Sequence, residues 1–375
     1  MNNIPFNIPY IAGGEGDAVL QAIASRKLCG GGPFGLRCEA QLKAFYPDAA
    51  QVLMTTSCTD ALEICAALIN TQAGDEILAP SFTFVSTVNP FVIRGATIKF
   101  LDIEYPSLNV SAATIESAIT PRTKAVVVVN YGGGAANLRE IRAVCDRHGI
   151  VMIEDAAQSL LATCEGQPLG SFGQLAALSF HDTKNVQCGE GGALIINDAT
   201  FFERAEIIRE KGTNRSKFFR GQVDKYSWVD LGSSHIPTEL CSAFLDVQLQ
   251  NARAITDRRL TIWARYEESC KKAGIDHLRF SPEISPNAHV FGVLTKDLAQ
   301  RTAAIAALKA EGIQSVFHYV PLHSAPMGMA HGSFHGEDVH TTDLSERLMR
   351  LPLYPDLQPA QVDRVVDVLA RALGQ

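Results

Sequence analysis

No two of the nine cysteines stand at C-x-x-C spacing, and their number is odd. That pattern gives no disulfide framework and no zinc ribbon, and it fits reduced thiols in a cytoplasmic protein. Long apolar runs are also missing. The most apolar stretch, Lys124 to Asn130, is far shorter than the roughly 20 residues that span a bilayer. The opening MNNIPFNIPY has neither a basic segment nor an apolar one, so no secretory leader is expected. Basic charge is not in excess: 33 Lys and Arg face 40 Asp and Glu, a net charge of −7. Broad, phosphate-driven nucleic-acid binding is therefore not expected, and neither is a membrane partner. There is no internal repeat and no low-complexity linker. What remains is a chain of 375 residues, 46% hydrophobic and 19% charged, the profile of an ordinary soluble globular protein. At roughly 150 residues per domain, two to three domains are expected.

Short apolar runs alternate with helical patterns through the first two thirds. Strands are predicted at 75–80, 97–102, 125–129, 150–155, 176–180 and 192–197. Val126 to Val129 are four consecutive valines, the mark of a strand buried on both faces. Residues 137–148 have helical spacing at Leu138, Ile141 and Val144, with Gly149 as a stop. This alternation predicts an α/β domain with a mostly parallel sheet. From Glu239 to Ala273 one long helix is predicted, without Gly or Pro and ending at Gly274. The remainder reads as a smaller C-terminal α+β domain. The boundary is placed near 245, giving a large domain over 1–245 and a small one over 246–375.

Four segments of the larger domain have residue types suited to chemistry. In Thr55 to Leu62, Ser57 or Thr59 precedes a helical run, where free N–H groups and the helix dipole favour phosphate. In Ile153 to Gln158, Asp155 ends a buried strand, the edge where parallel sheets bind ligands and where a carboxylate would meet a cationic ring nitrogen. In Ser179 to Asn185, followed by Gly189-Glu-Gly-Gly192, Lys184 follows a strand, and a desolvated lysine forms a Schiff base readily. Lys211 to Trp228 holds five basic residues against one acidic, interleaved with aromatics, which suits a diphosphate and a base. Taken singly, each has a plain structural alternative: an N-cap, a capping Asp, a solvated Lys, a solvated loop. Together, and in this chain order, they are the three anchors of pyridoxal phosphate with a basic loop beside them.

At these residues the sequence resembles the DegT/DnrJ/EryC1/StrS sugar aminotransferases, pyridoxal-phosphate enzymes of the aspartate-aminotransferase fold (fold type I). The strongest motifs are Glu154-Asp-Ala-Ala-Gln158 and Ser179-Phe-His-Asp-Thr-Lys-Asn185 with Gly189-Glu-Gly-Gly192. Lys211 to Ser216 and Phe218 to Tyr226 are similar to one branch, the dTDP-4-amino-4,6-dideoxygalactose transaminases of surface-polysaccharide synthesis (lipopolysaccharide or enterobacterial common antigen). The resemblance implies Lys184 as the catalytic, Schiff-base lysine. It implies Asp155 on the ring nitrogen, Gln158 at the ring hydroxyl and Phe84 over the ring. Ser57, Cys58, Thr59 and Ser179 would hold the phosphate. Ser234 stands where many members have an Asn that reaches the neighbouring subunit's phosphate. Lys211, Arg215, Arg220, Lys225 and Tyr226, with His318, Tyr319 and His323, would meet the sugar nucleotide. Glutamate as amino donor, a dTDP-linked 4-keto-6-deoxyhexose as acceptor and a homodimer with shared active sites are likewise implied. Amination at C3, another nucleotide-linked keto-sugar, or a non-catalytic cofactor-binding regulator stay open as alternatives.

Two further patterns are set aside. Gly30 to Gly35 matches G-x-G-x-x-G by letter, but it follows a helical pattern and places Pro33 where the helix opens, so no dinucleotide fold is expected. Five histidines between 318 and 340 lack helical metal-ligand spacing, because Gly332 and Gly336 interrupt it, and no metal is expected.

Overall fold

The computed structural model describes residues 3–375. Its centre is an eight-stranded sheet. The strands are β1 (Gln51–Thr55), β2 (Glu76–Pro80), β3 (Thr97–Leu101), β4 (Thr123–Val129), β5 (Val151–Asp155), β6 (Leu175–Ser179), β7 (Gly192–Ile196) and, after β8 (Phe291–Leu294) of a smaller sheet, β9 (Gly332–Phe334). Their order is β1-β7-β6-β5-β4-β2-β3-β9. All neighbours from β6 to β9 run parallel, while β7 is antiparallel to both β1 and β6. The fold is therefore α/β with a mostly parallel sheet. Val126 and Val128 pack into a cluster with Leu78, Met152 and Leu138, whereas Ala125 and Val127 pack into another with Ile64, Ile77 and Ile153. Both faces of β4 are thus covered, and each valine buried there contributes about 1.5–3 kcal/mol. Strand β1 has no counterpart in the sequence reading.

The helices that frame the site are α1 (Glu15–Ser25), α2 (Pro33–Phe45), α3 (Cys58–Leu68), α4 (Leu138–His148), α5 (Glu239–Gln250), α6 (Ala252–Ala273), α7 (Leu298–Ala310) and α8 (Pro359–Leu373). The single helix predicted from Glu239 to Ala273 is in fact α5 and α6, broken at Asn251. There the backbone turns to φ −100° and ψ 2°, and the Asn251 amide donates to Val247 O at 2.9 Å. An asparagine that bonds its own local backbone competes with the helix ladder, so a break needs neither Gly nor Pro. The glycines at 30–35 lead from α1 into α2, not from a strand. The Glu239 carboxylate already accepts from Phe34 N and Gly35 N at 2.9 Å each, filling that helix N-terminus.

Strand β8 pairs antiparallel with β10 (Leu348–Leu351). Beside this two-stranded sheet, Ile262 and Tyr266 of α6, Leu308 of α7 and Val365 and Leu369 of α8 form a further buried cluster with Phe291 and Ile4.

Candidate active site

Three local structures converge at the C-terminal ends of the central strands. The first is the start of α3. Ser57 has extended backbone and its Oγ accepts from Asp60 N at 3.0 Å, while Thr55 Oγ1 donates to Ser57 O at 2.7 Å. The second is the β6–β7 connection, which folds back on itself: Phe180 N bonds Gly191 O at 2.8 Å and Asp182 N bonds Gly189 O at 3.0 Å. Lys184 sits on this connection, its N–H donating to His181 O at 2.9 Å. The two structures are pressed together at Gly192, where an added Cβ would lie 2.3 Å from Ser57 C and 2.4 Å from Cys58 N. Only glycine admits that approach, and Gly192 pairs with Ser179, so the serine is set beside the helix end.

The third is the end of β5. Asp155 Oδ2 accepts from Thr87 Oγ1 at 2.6 Å, Oδ1 accepts from Ala157 N at 3.2 Å, and Thr87 Oγ1 also meets Thr83 Oγ1 at 2.6 Å. Burial pushes the Asp155 carboxyl up, opposed by the Thr87 hydroxyl, the Ala157 N–H and the charge of Lys184. Burial likewise pulls the Lys184 ammonium below its ordinary 10.5, opposed by Cys58 and Asp155. Gln158 is held on both ends: Gly132 N donates to its Oε1 at 2.7 Å, and its Nε2 donates to Tyr319 OH at 3.0 Å.

Ser57, Asp155, Gln158 and Lys184 line one cavity of about 630 Å³. Of the residues singled out in the sequence, Ser57, Cys58, Thr59, Phe84, Asp155, Gln158, Ser179, Lys184, His318 and Tyr319 all face it. His318 stacks on Tyr319 at 3.6 Å between ring centroids, and its Nδ1 lies 2.6 Å from Tyr131 OH. Burial holds this imidazole neutral by lowering its pKa. His323 is absent from the lining: Ser81 Oγ lies 2.7 Å from its Nδ1 and Asp338 Oδ2 lies 3.3 Å from its Nε2, and this polar pair holds the ring. Ser234 is exposed and pairs with Glu210. Arg215 and Arg220 lie in a separate cleft, bridged to Glu210 at 3.0 Å and Glu206 at 2.7 Å. Lys211, Lys225 and Tyr226 are exposed. Residues the sequence reading missed are Thr87, which orients Asp155, and Arg259, His289 and Arg350, which close the cavity from the side of the smaller sheet.

A family profile for the DegT/DnrJ/EryC1/StrS aminotransferases matches residues 9–370. The chain belongs to this family. DesV of S. venezuelae, solved with a ketimine intermediate, is 27% identical over the whole of both chains with a TM-score of 0.90. The aminotransferase TlmJ of Streptoalloteichus hindustanus is 26% identical, covering 100% of this chain and 99% of its own, also at 0.90. A Streptococcus pneumoniae protein in its PLP form, 23% identical over 100% of this chain and 99% of its own with a TM-score of 0.89, shares the fold.

This is thus a pyridoxal-phosphate-dependent aminotransferase. The residues present fit that cofactor. Asp155 is a buried carboxylate that accepts from one hydroxyl and one N–H, and no basic side chain among the described residues is within ion-pair distance of it. A protonated ring nitrogen would supply the missing cation. Lys184 is a desolvated amine in the same cavity, and the α3 N-terminus with the Ser57, Thr59 and Ser179 hydroxyls offers neutral donors to a phosphate.

Proposed function

We propose that this aminotransferase moves an amino group from L-glutamate to the C4 ketone of dTDP-4-keto-6-deoxyglucose, giving dTDP-4-amino-4,6-dideoxygalactose. The observation that carries the amino-transfer chemistry is the convergence of Lys184, Asp155 and the start of α3 on one cavity. The choice of sugar rests on the resemblance of Lys211 to Tyr226 to a single branch of the family.

When bound, pyridoxal phosphate supplies an electron sink next to the reacting carbon. The chain's residues do the rest. The N–H groups at the start of α3 and the hydroxyls of Ser57, Thr59 and Ser179 bind the phosphate. Asp155, fixed by Thr87, keeps a proton on the ring nitrogen. Gln158, locked by Gly132, directs its amide and Tyr319 OH toward the ring hydroxyl. Phe84, an exposed residue of the cavity lining, would lie over the ring. Lys184 Nζ, with its lowered pKa, takes the proton from the donor's α-carbon and returns it on the other side of the amine exchange.

In this reading the enzyme is a homodimer. Ser234 lies outside the cavity of its own chain and stands where, as the family resemblance implies, a residue reaches the partner's site; Lys211, Arg215, Arg220, Lys225 and Tyr226 also lie outside that cavity, and in this reading they would meet the nucleotide diphosphate. The test is incubation with glutamate and dTDP-4-keto-6-deoxyglucose, with the configuration at C4 of the product read by NMR. An axial 4-amino sugar is the expected result. Amination of 3-keto sugars alone would reject the assignment.

A further inference from the structure

Lys184 is followed by Asn185, a buried side chain held at both ends. Its Nδ2 donates to Asn287 O at 2.8 Å, and its Oδ1 lies 3.1 Å from Nδ1 of the buried His289. The first bond fixes which end of the amide faces the imidazole, so Nδ1 carries the proton and is the donor. Burial, with the charge of Lys184 nearby, keeps the His289 pKa well below its ordinary value, so the ring is neutral. The segment that presents this histidine is itself tightly held. Asn287 Nδ2 donates to Gln158 O and Leu160 O at 2.9 Å each, and Asn287 Oδ1 accepts from His289 N at 3.1 Å. Arg259 Nε and Nη2 donate to Ala288 O at 3.0 Å and His289 O at 2.8 Å. Between these anchors Ala288 is kept at φ 53°, a left-handed backbone that is costly for alanine and persists only where the surroundings impose it. A strained and fully bonded segment thus brings one imidazole to the residue next to Lys184.

We propose that His289 is a positioning residue for Lys184, acting through Asn185 to lock the turn that carries the amine. The hairpin's own backbone bonds reach this turn at Lys184 N and Cys188 N, while among the described residues the Asn185 backbone makes none. The Asn185 side chain is what ties that point to the rest of the protein. Segment 287–289 leads into β8, so the same contact registers the turn against the smaller sheet. An amine misplaced by about 1 Å from the atom it must reach loses reactivity on the order of 100-fold. The inference rests on the reading of Lys184 as the amine that condenses with the cofactor aldehyde, releasing water.

The test compares two cofactor forms on the full-length protein freed of cofactor. Pyridoxal phosphate bonds to the lysine, and its uptake is followed by visible absorption. Pyridoxamine phosphate takes the same phosphate and ring contacts but cannot bond to an amine, and its binding is measured by calorimetry. The variants are His289→Leu, which removes the donor, His289→Asn, which returns an amide N–H at the place of Nδ1, and Lys184→Ala. His289→Leu is expected to raise the pyridoxal phosphate Kd roughly 10- to 100-fold, the effect of one lost buried hydrogen bond that leaves its partner unsatisfied. Its affinity for pyridoxamine phosphate should equal that of wild type, and His289→Asn should recover most of the loss. A cavity deformed as a whole would weaken both cofactor forms alike, and that result overturns the inference. So does wild-type affinity for pyridoxal phosphate in His289→Leu, or in His289→Gln should the former not fold. Failure of His289→Asn to improve on His289→Leu overturns it as well. Lys184→Ala separates this inference from the reading beneath it. If that variant keeps the wild-type absorption of bound pyridoxal phosphate, the lysine assignment falls and the inference with it. If it loses that absorption while the histidine variants behave as wild type, only the inference falls.

Discussion

Thr87 is the residue whose removal probes the ring-nitrogen site most directly. Its hydroxyl donates to Asp155 Oδ2 at 2.6 Å in a buried setting. Thr87→Val keeps the shape and removes that donor. A hydrogen bond to a charged group is worth about 1.5–3 kcal/mol, and about 1.4 kcal/mol corresponds to one pKa unit. The variant should therefore raise the Asp155 pKa further above a value that burial has already lifted, by an amount set by that lost bond. The sign follows from the bond favouring the ionised form. Cofactor binding needs the carboxylate ionised, so affinity should fall off at a higher pH in the variant than in wild type. The assay is fluorescence titration of the apoenzyme with pyridoxal phosphate across a pH series. Ionisations of the free cofactor are the same in both titrations and cancel in the comparison. Superimposable wild-type and variant profiles would refute the role given to Thr87, and with it the account of how Asp155 is tuned.

Lys184→Ala should abolish turnover and shift the visible absorption of the bound cofactor, and retention of full transaminase activity would reject its assignment. Gly192→Ala forces a Cβ to within 2.3 Å of Ser57 C. It should cost about 1–3 kcal/mol of stability and weaken phosphate binding, as thermal melts and cofactor titration would register. Lys184→Met should stabilise the apoenzyme at neutral pH. A lysine with a folded-state pKa below its ordinary 10.5 costs stability while charged, and that cost fades as pH rises from the folded value toward 10.5. The gain over wild type in denaturant melts should accordingly shrink in alkaline buffer.

Lys184 and Asp155 are legible in the sequence because each stands in a short contiguous segment, strand then reactive residue, that needs no knowledge of the rest of the chain. Six of the predicted strands reappear within about two residues, since buried runs of Val, Ile and Leu carry their own signal. Thr87 and Arg350 are not legible in that way. Thr87 meets Asp155 across 68 positions of sequence, and Arg350 reaches the cavity from the opposite end of the chain. A signal for Arg350 did exist: it is the one charged residue in Leu348–Leu351, a strand that is otherwise buried. The family resemblance implies His323 at the sugar pocket, and the structure leaves it out of the cavity lining. Which way an imidazole turns depends on Ser81 and Asp338, which no local pattern reveals.

The antiparallel ribbon of β6 and β7 has a consequence for how such enzymes diversify. The amine-bearing turn and the wedge that seats the phosphate helix are parts of one stiff hairpin. Displacing either moves both, so the reactive chemistry is inherited as a single block. The arginine on β10 and the exposed basic loop at 211–228 are attached elsewhere, free to drift. In the proposed reading, a new acceptor would be reached by changing those outlying parts while the ribbon stays as it is.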